Sequence, residues 1–236
     1  MVCNSGVRVT PQVQGKTHLF AEHGLYDGLF LMRDEESGTY WDHLTGEAVY
    51  GDLVGQQLEV SALEYSVAGQ VLENHPQAVI TISDQALRKN DDLELEGLLE
   101  SSDGRLGEMF SSTIAAEDDR LPTMELGMGI WKGKEARFYP YETITSAGGA
   151  ILDQFEGRGV LIYLDPEIHV LSALYTEART WGLADNVIEL STGQRIANSV
   201  LVDHQGDLLP MDRPLQIFTR WYGFALTFPG TEIHGQ

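Results

Sequence analysis

The chain has 236 residues, with 15 Lys and Arg against 36 Asp and Glu, a formal net charge of −21. That excess of carboxylates excludes a surface built to neutralise nucleic-acid phosphates or to dock on anionic membranes, since both need clustered Lys and Arg. At 42% hydrophobic and 22% charged residues, the composition is that of a globular chain with a core.

Residues 16–60 read as short β runs broken by Gly and Asp, at 18–20, 29–32, 39–41, 48–50 and 57–60. Asp34-Glu35-Glu36-Ser37-Gly38 and Leu44-Thr45-Gly46-Glu47 have the composition of turns between them. A helix fits residues 63–73, mostly apolar toward one side, with Pro76 as its stop. Residues 79–82 read as one more strand. From 83 to 121 the character changes. Asp91, Asp92, Glu94, Glu96 and Glu100, then Glu117-Asp118-Asp119, read as a solvated connector, with a partner- or cation-binding strip as the alternative. Strand runs return at 128–131, 136–139, 160–164, 169–175 and 187–190. A second helix is expected over 215–226, with Phe218, Trp221 and Ala225 on its buried face, Pro214 at its first turn and Pro229 beyond its end.

The two ends of the chain echo each other. Thr45-Gly46-Glu47-Ala48 precedes Gly55, Leu58, a helix pattern, His75-Pro76 and Ile80. Thr192-Gly193-Gln194-Arg195 precedes Gly206, Leu209, the aromatic helix, Phe228-Pro229 and Ile233. The expected fold is therefore α+β and mainly β: two related halves of twisted antiparallel sheet, each with a covering helix. The first copy spans 1–82, the acidic connector 83–126 and the second copy 127–236. A cleft between the copies is the natural ligand site.

The series Cys3, Ser5-Gly6, Gln14-Gly15, Phe20, Gly24, Asp34, Gly38-Thr39, Trp41, Leu44-Thr45-Gly46, Gly51, Gly55, Leu58 and His75-Pro76 resembles the domain-of-unknown-function 3179 family. Gly133-Lys134, Tyr139-Pro140, residues 159–164, Trp221, Phe224, Phe228-Pro229 and Thr231 continue the resemblance. The resemblance implies no particular activity, because the family has none established. Its members often carry Cys-x-x-Cys before the Ser-Gly. This chain has Cys3 alone, so neither dithiol chemistry nor an intrachain disulfide is expected.

Cys3, His18, His23 and His43 fall within the first 43 residues, and thiolate with imidazole suits zinc or copper, with Asp34 able to complete a site. Their spacing matches no tight ligand pair, so Cys3 and His43 are the expected ligands only if the fold joins them. For proton transfer the preferred pair is Asp34 and His43, since a carboxylate-oriented imidazole titrates near neutrality. Strand alternation puts Trp41 on the same face as His43, where its indole is expected to floor a small-molecule pocket. Gly127-x-Gly129-x-x-x-Gly133 is not a dinucleotide fingerprint, and no phosphate-loop, nucleophile-elbow or zinc-protease motif occurs. Two functions remain open: small-molecule binding or catalysis in the first copy, with a metal as one option, or a non-catalytic binding or assembly module whose Gly, Trp and Asp residues are architectural. No nucleic-acid partner and no membrane span are expected, since no apolar run approaches the roughly 20 residues a span needs. Residues 1–10 lack the apolar centre of a signal peptide, so a cytoplasmic location is expected, with the mature part of an exported protein as the alternative.

Overall fold

The computed structural model describes residues 6–79 and 105–236. The first stretch holds β1 (Val7–Thr10), β2 (Gln12–Val13), β3 (Lys16–Thr17), β4 (Phe20–Tyr26), β5 (Leu29–Asp34), β6 (Tyr40–Asp42), β7 (Ala48–Tyr50), β8 (Glu59–Ala62) and α1 (Ala68–Asn74). The second opens with α2 (Glu108–Ser111), β9 (Leu126–Lys132), β10 (Glu135–Pro140), α3 (Tyr141–Ser146), β11 (Ala150–Phe155), β12 (Arg158–Leu164) and β13 (Leu171–Tyr175). It ends with β14 (Trp181–Ala184), β15 (Val187–Leu190), β16 (Arg195–Ala197), β17 (Val200–Val202), β18 (Leu208–Leu209), β19 (Leu215–Arg220), α4 (Trp221–Thr227) and β20 (Glu232–Ile233). The protein is mainly β. No helix among the described residues is long and apolar enough to cross a membrane.

Strands β4 to β7 form one antiparallel meander and β14 to β18 another; β1 pairs with β8 and β2 with β3. The centre is a sheet ordered β19-β9-β10-β20, antiparallel except where β10 meets β20. Period-two alternation makes both of its faces apolar. Met128, Ile130, Tyr139 and Phe218 point to one side, where they meet Val160, Ile162 and Ala173 of the β11-β12-β13 sheet. Trp131, Phe138 and Ile217 point to the other, against Trp221, Phe224 and Ala225 of α4. The far face of the β11-β12-β13 sheet carries Leu161, Tyr163 and Leu174, which pack on Ile188, Leu190, Ile196 and Leu201 of the second meander. One helix layer and three sheet layers result.

The Gly127-x-Gly129 pair belongs to this packing. A Cβ built on Gly129 would stand 2.1 Å from the Phe224 ring, and one on Gly127 would stand 2.5 Å from Phe138. Glycine lets α4 and its aromatics lie directly on β9.

The helix expected over 215–226 is corrected in its first half. Residues 215–220 are strand β19, paired with β9 from Leu215↔Trp131 to Arg220↔Leu126, and the helix begins at Trp221. Leu-Gln-Ile-Phe-Thr-Arg has apolar side chains on both faces. Such a run fits a strand buried between two layers as well as one side of a helix. Trp221 (0% exposed), Phe218 and Ala225 are buried as expected, Phe218 from the strand.

The helix expected over 63–73 starts only at Ala68, and none of its residues is buried. Tyr65 packs instead against the cluster between the two central sheets. Part of the acidic connector is folded: Leu106 and Phe110 are buried with Leu29 and Tyr222, and the Gly28 N–H donates to Thr113 Oγ1 at 2.9 Å. Asp91 to Glu100 lie outside the described residues, as does the strand expected at 79–82 apart from Val79.

Candidate functional site

Asp34 ends β5 and opens the turn expected from Asp34 to Gly38. Its N–H donates to the Thr39 carbonyl (3.1 Å), its carbonyl accepts from Gly38 (3.0 Å), and Gly38 takes the left-handed φ of +72° that glycine adopts freely. The carboxylate is 0% exposed and surrounded by donors. Oδ1 accepts from the Ser37 N–H (2.7 Å) and lies 3.1 Å from His18 Nδ1. Oδ2 accepts from Trp41 Nε1 (2.9 Å) and from the Ser37 hydroxyl (2.8 Å). Burial alone would raise the Asp34 pKa, but the bonds from Trp41, Ser37 and His18 outweigh it and hold the group at about 2. Asp34 is an anion with every acceptor position engaged, and taking a proton from a substrate would cost it one of these donors.

The imidazole that meets Asp34 is thus His18, on the segment between β3 and β4, anchored by its own N–H to the Pro11 carbonyl at 2.9 Å. His18 Nδ1 is also 3.7 Å from Glu36 Oε2, and Glu36 in turn accepts from the Leu19 N–H at 3.0 Å. Ligand atoms of His18, Asp34 and Glu36 all lie within 4.8 Å of one another, the one such His, Asp and Glu group among the described residues.

His43 has other neighbours. It sits in the turn after β6, its ring donates to the Phe30 carbonyl, and Asp42 and Glu22 are the charges acting on it. Burial is the dominant influence and holds its pKa below the ordinary value of 6.5. Trp41 meets Asp34 but is 0% exposed: its ring touches the edge of Phe20 (5.9 Å, 74°) and packs with Val13, Ala48 and Leu58. Cys3 lies outside the described residues.

A second polar cluster gave no signal in the sequence, because His234 is 81 residues from Asp153 and Glu232 is 95 from Arg137. Asp153 Oδ2 accepts from Arg137 Nη1 (2.9 Å) and the Tyr139 hydroxyl (3.0 Å) and lies 3.1 Å from His234 Nδ1. Arg137 Nη2 also reaches Glu232 at 2.6 Å, and the Tyr139 and His234 rings stack at 5.0 Å. Burial and the nearby Asp153 charge push the Tyr139 hydroxyl far above the usual phenol value, so it stays a donor. The cluster clamps β20 and β11 to β10.

A cavity of about 250 Å³ lies where α1 and the residues before it face the second stretch of chain. Glu64, Val71 and His75 line one side, and Tyr163, Asp165, Ser172 and Arg213 the other. Helix α1 is tied there by Asn74 Nδ2 to the Asn198 carbonyl (3.1 Å) and by the Ser199 hydroxyl to Gln70 Oε1 (3.3 Å). Arg213 is 10% exposed. Its Nη1 donates to Ser172 Oγ (2.7 Å) and the Ala173 carbonyl (2.9 Å), and its Nη2 reaches Met211 Sδ (2.7 Å). Both Nη atoms are 3.4 Å from the Tyr163 hydroxyl. The carboxylate within ion-pair distance of it among the described residues is Glu64, 67% exposed, whose Oε1 is 3.4 Å from Nε, and Asp165 lines the same cavity. Nothing around Asp212-Arg213-Pro214 in the sequence marks this arginine. A larger depression of about 570 Å³ beside Gln154, Arg158 and Glu177 is a trough open to solvent.

No curated protein and no solved structure matches this chain. Over residues 1–228 it matches the family described as protein of unknown function (DUF3179), and it belongs to that family.

Proposed function

We propose that the protein binds a small molecule in the cavity between α1 and the second stretch of chain, and that the Asp34 cluster is architectural. The observation that carries this reading is the placement of α1. A helix that buries none of its own residues contributes little to the core, yet it is held over a partly open cavity walled by a buried arginine. Under this reading Asp34 fixes its turn, Trp41 and His18, and His43 is a neutral packed group. Neither moves protons for a substrate.

The proposed duplication belongs with this reading. Gly46 (φ +73°) and Gly193 (φ +85°) both occupy turns joining antiparallel neighbours, β6 to β7 and β15 to β16. Val71 lines the cavity from an incompletely buried position, and Val71→Trp adds bulk there. A ligand that raises the melting temperature of the native protein should lose that effect in Val71→Trp, while the unliganded melting temperature stays unchanged. Equal stabilisation of both proteins would sink the reading.

A second reading rests on His18, Asp34 and Glu36, whose approach within 4.8 Å suits a zinc or copper ion. Metal analysis after zinc loading tests it: a stoichiometric ion lost in His18→Ala supports the metal, and metal-free protein removes it.

A further inference from the structure

We propose that the ligand of this cavity carries a carboxylate, which takes the side of the Arg213 guanidinium now faced by Glu64. The inference rests on the cavity being a ligand site, as proposed above. Withdrawing a guanidinium from water is costly unless its N–H groups are bonded and its charge is matched. Arg213 meets the first condition on one side only. Nη1 has a hydroxyl and a carbonyl, both at good distance. The other side, formed by Nε and Nη2, is poorly served: Nε is buried without a hydrogen bond, and Nη2 has a thioether, a weak acceptor, and a hydroxyl at 3.4 Å. Two neighbouring N–H groups on a guanidinium side are the pair a carboxylate engages bidentately.

Glu64 stands at that side as an internal stand-in. It is too exposed to gain much from the pairing, and a long exposed side chain is readily displaced. A ligand carboxylate arriving with its own apolar body would supply the missing acceptors and release Glu64 to water. Val71, Ile168, Val170 and Val200 offer that body an apolar wall, and about 250 Å³ suits a metabolite of amino-acid or short-acid size. Phosphate fits less well. Glu64 and Asp165 both line the cavity, and a dianion would meet two like charges against one guanidinium.

The test is thermal stabilisation and calorimetric titration with hexanoate, benzoate and phenylacetate, each beside its primary amide, with inorganic phosphate in parallel. At least one acid should bind while its amide and phosphate do not. Glu64→Gln, on an exposed side chain that leaves the fold intact, should bind the same acid about five-fold tighter. Arg213→Gln should abolish binding, and Arg213→Lys should weaken it. If an amide binds as well as its acid and Val71→Trp blocks both, the cavity is a site but the carboxylate inference fails. Phosphate binding in place of the acids overturns it in the same way. If no acid and no amide binds, and Glu64→Gln creates no binding, both the carboxylate and the cavity reading fall.

Discussion

The indole N–H of Trp41 donates to Oδ2 of Asp34 across 2.9 Å, and neither side chain is exposed to solvent. One strand end and the next strand of the meander are joined by this charge-assisted bond, and the same carboxylate holds His18 and the turn at Ser37. The arrangement is that of a latch: an anion whose value lies in the donors it gathers.

Replacing that anion should therefore cost stability. Asp34→Asn keeps the shape but turns one oxygen into an NH₂ facing donors, and a loss of about 3 kcal/mol in urea unfolding is expected. The pH dependence follows in sign. Asp34 titrates at about 2 in the folded protein against 3.8 ordinarily, so its contribution is complete above 3.8 and lost as pH falls from there through about 2. The contribution is on the order of 2 kcal/mol. Urea midpoints of native protein should drop across that window more steeply than those of Asp34→Asn. Parallel curves would show that the carboxylate is not the latch.

His43 should act in the opposite sense to a charged partner. Its folded pKa lies below 6.5, so the unfolded chain binds the extra proton first and stability falls as pH drops below 6.5. Nuclear magnetic resonance should place the His43 midpoint below that value, and His43→Gln should flatten the stability slope there. A midpoint above 6.5 would point to a carboxylate partner for the ring.

The α4 contact with β9 leaves no room for added atoms and no tolerance for lost ones. Trp221→Ala removes a fully buried indole and should cost about 3–5 kcal/mol. Gly129→Ala puts a methyl against the Phe224 ring and should cost about 1–3 kcal/mol by forcing the ring or the strand aside. Chemical denaturation checks both. An unperturbed Gly129→Ala would mean that the helix rides loosely on its sheet.

Much of the β architecture was legible because turns announce themselves. The Asp34–Gly38 and Leu44–Glu47 segments are turns, and the strands beside them lie within one or two residues of expectation, since Asp and Gly at such positions have few other uses. Residues 215–226 misled because an apolar run facing two layers has no single period. At the site, Asp34 and Trp41 do meet. His18 was harder to see as the partner of Asp34, because pairing of β4 with β5 brings Phe20 opposite Asp34 and only then carries His18 to the carboxylate. Arg213 was invisible: its surroundings come from β12, β13 and the segment before α1, all distant in sequence.

Hydrogen exchange at α1 tests the central claim most directly. With hexanoate, benzoate or phenylacetate bound, the amides of Ala68–Asn74 should exchange markedly more slowly than in the free protein, because the ligand gives that helix something to cover. Val71→Trp should remove the difference. Protection appearing elsewhere in the protein, with α1 exchanging as before, would contradict a ligand site in this cavity.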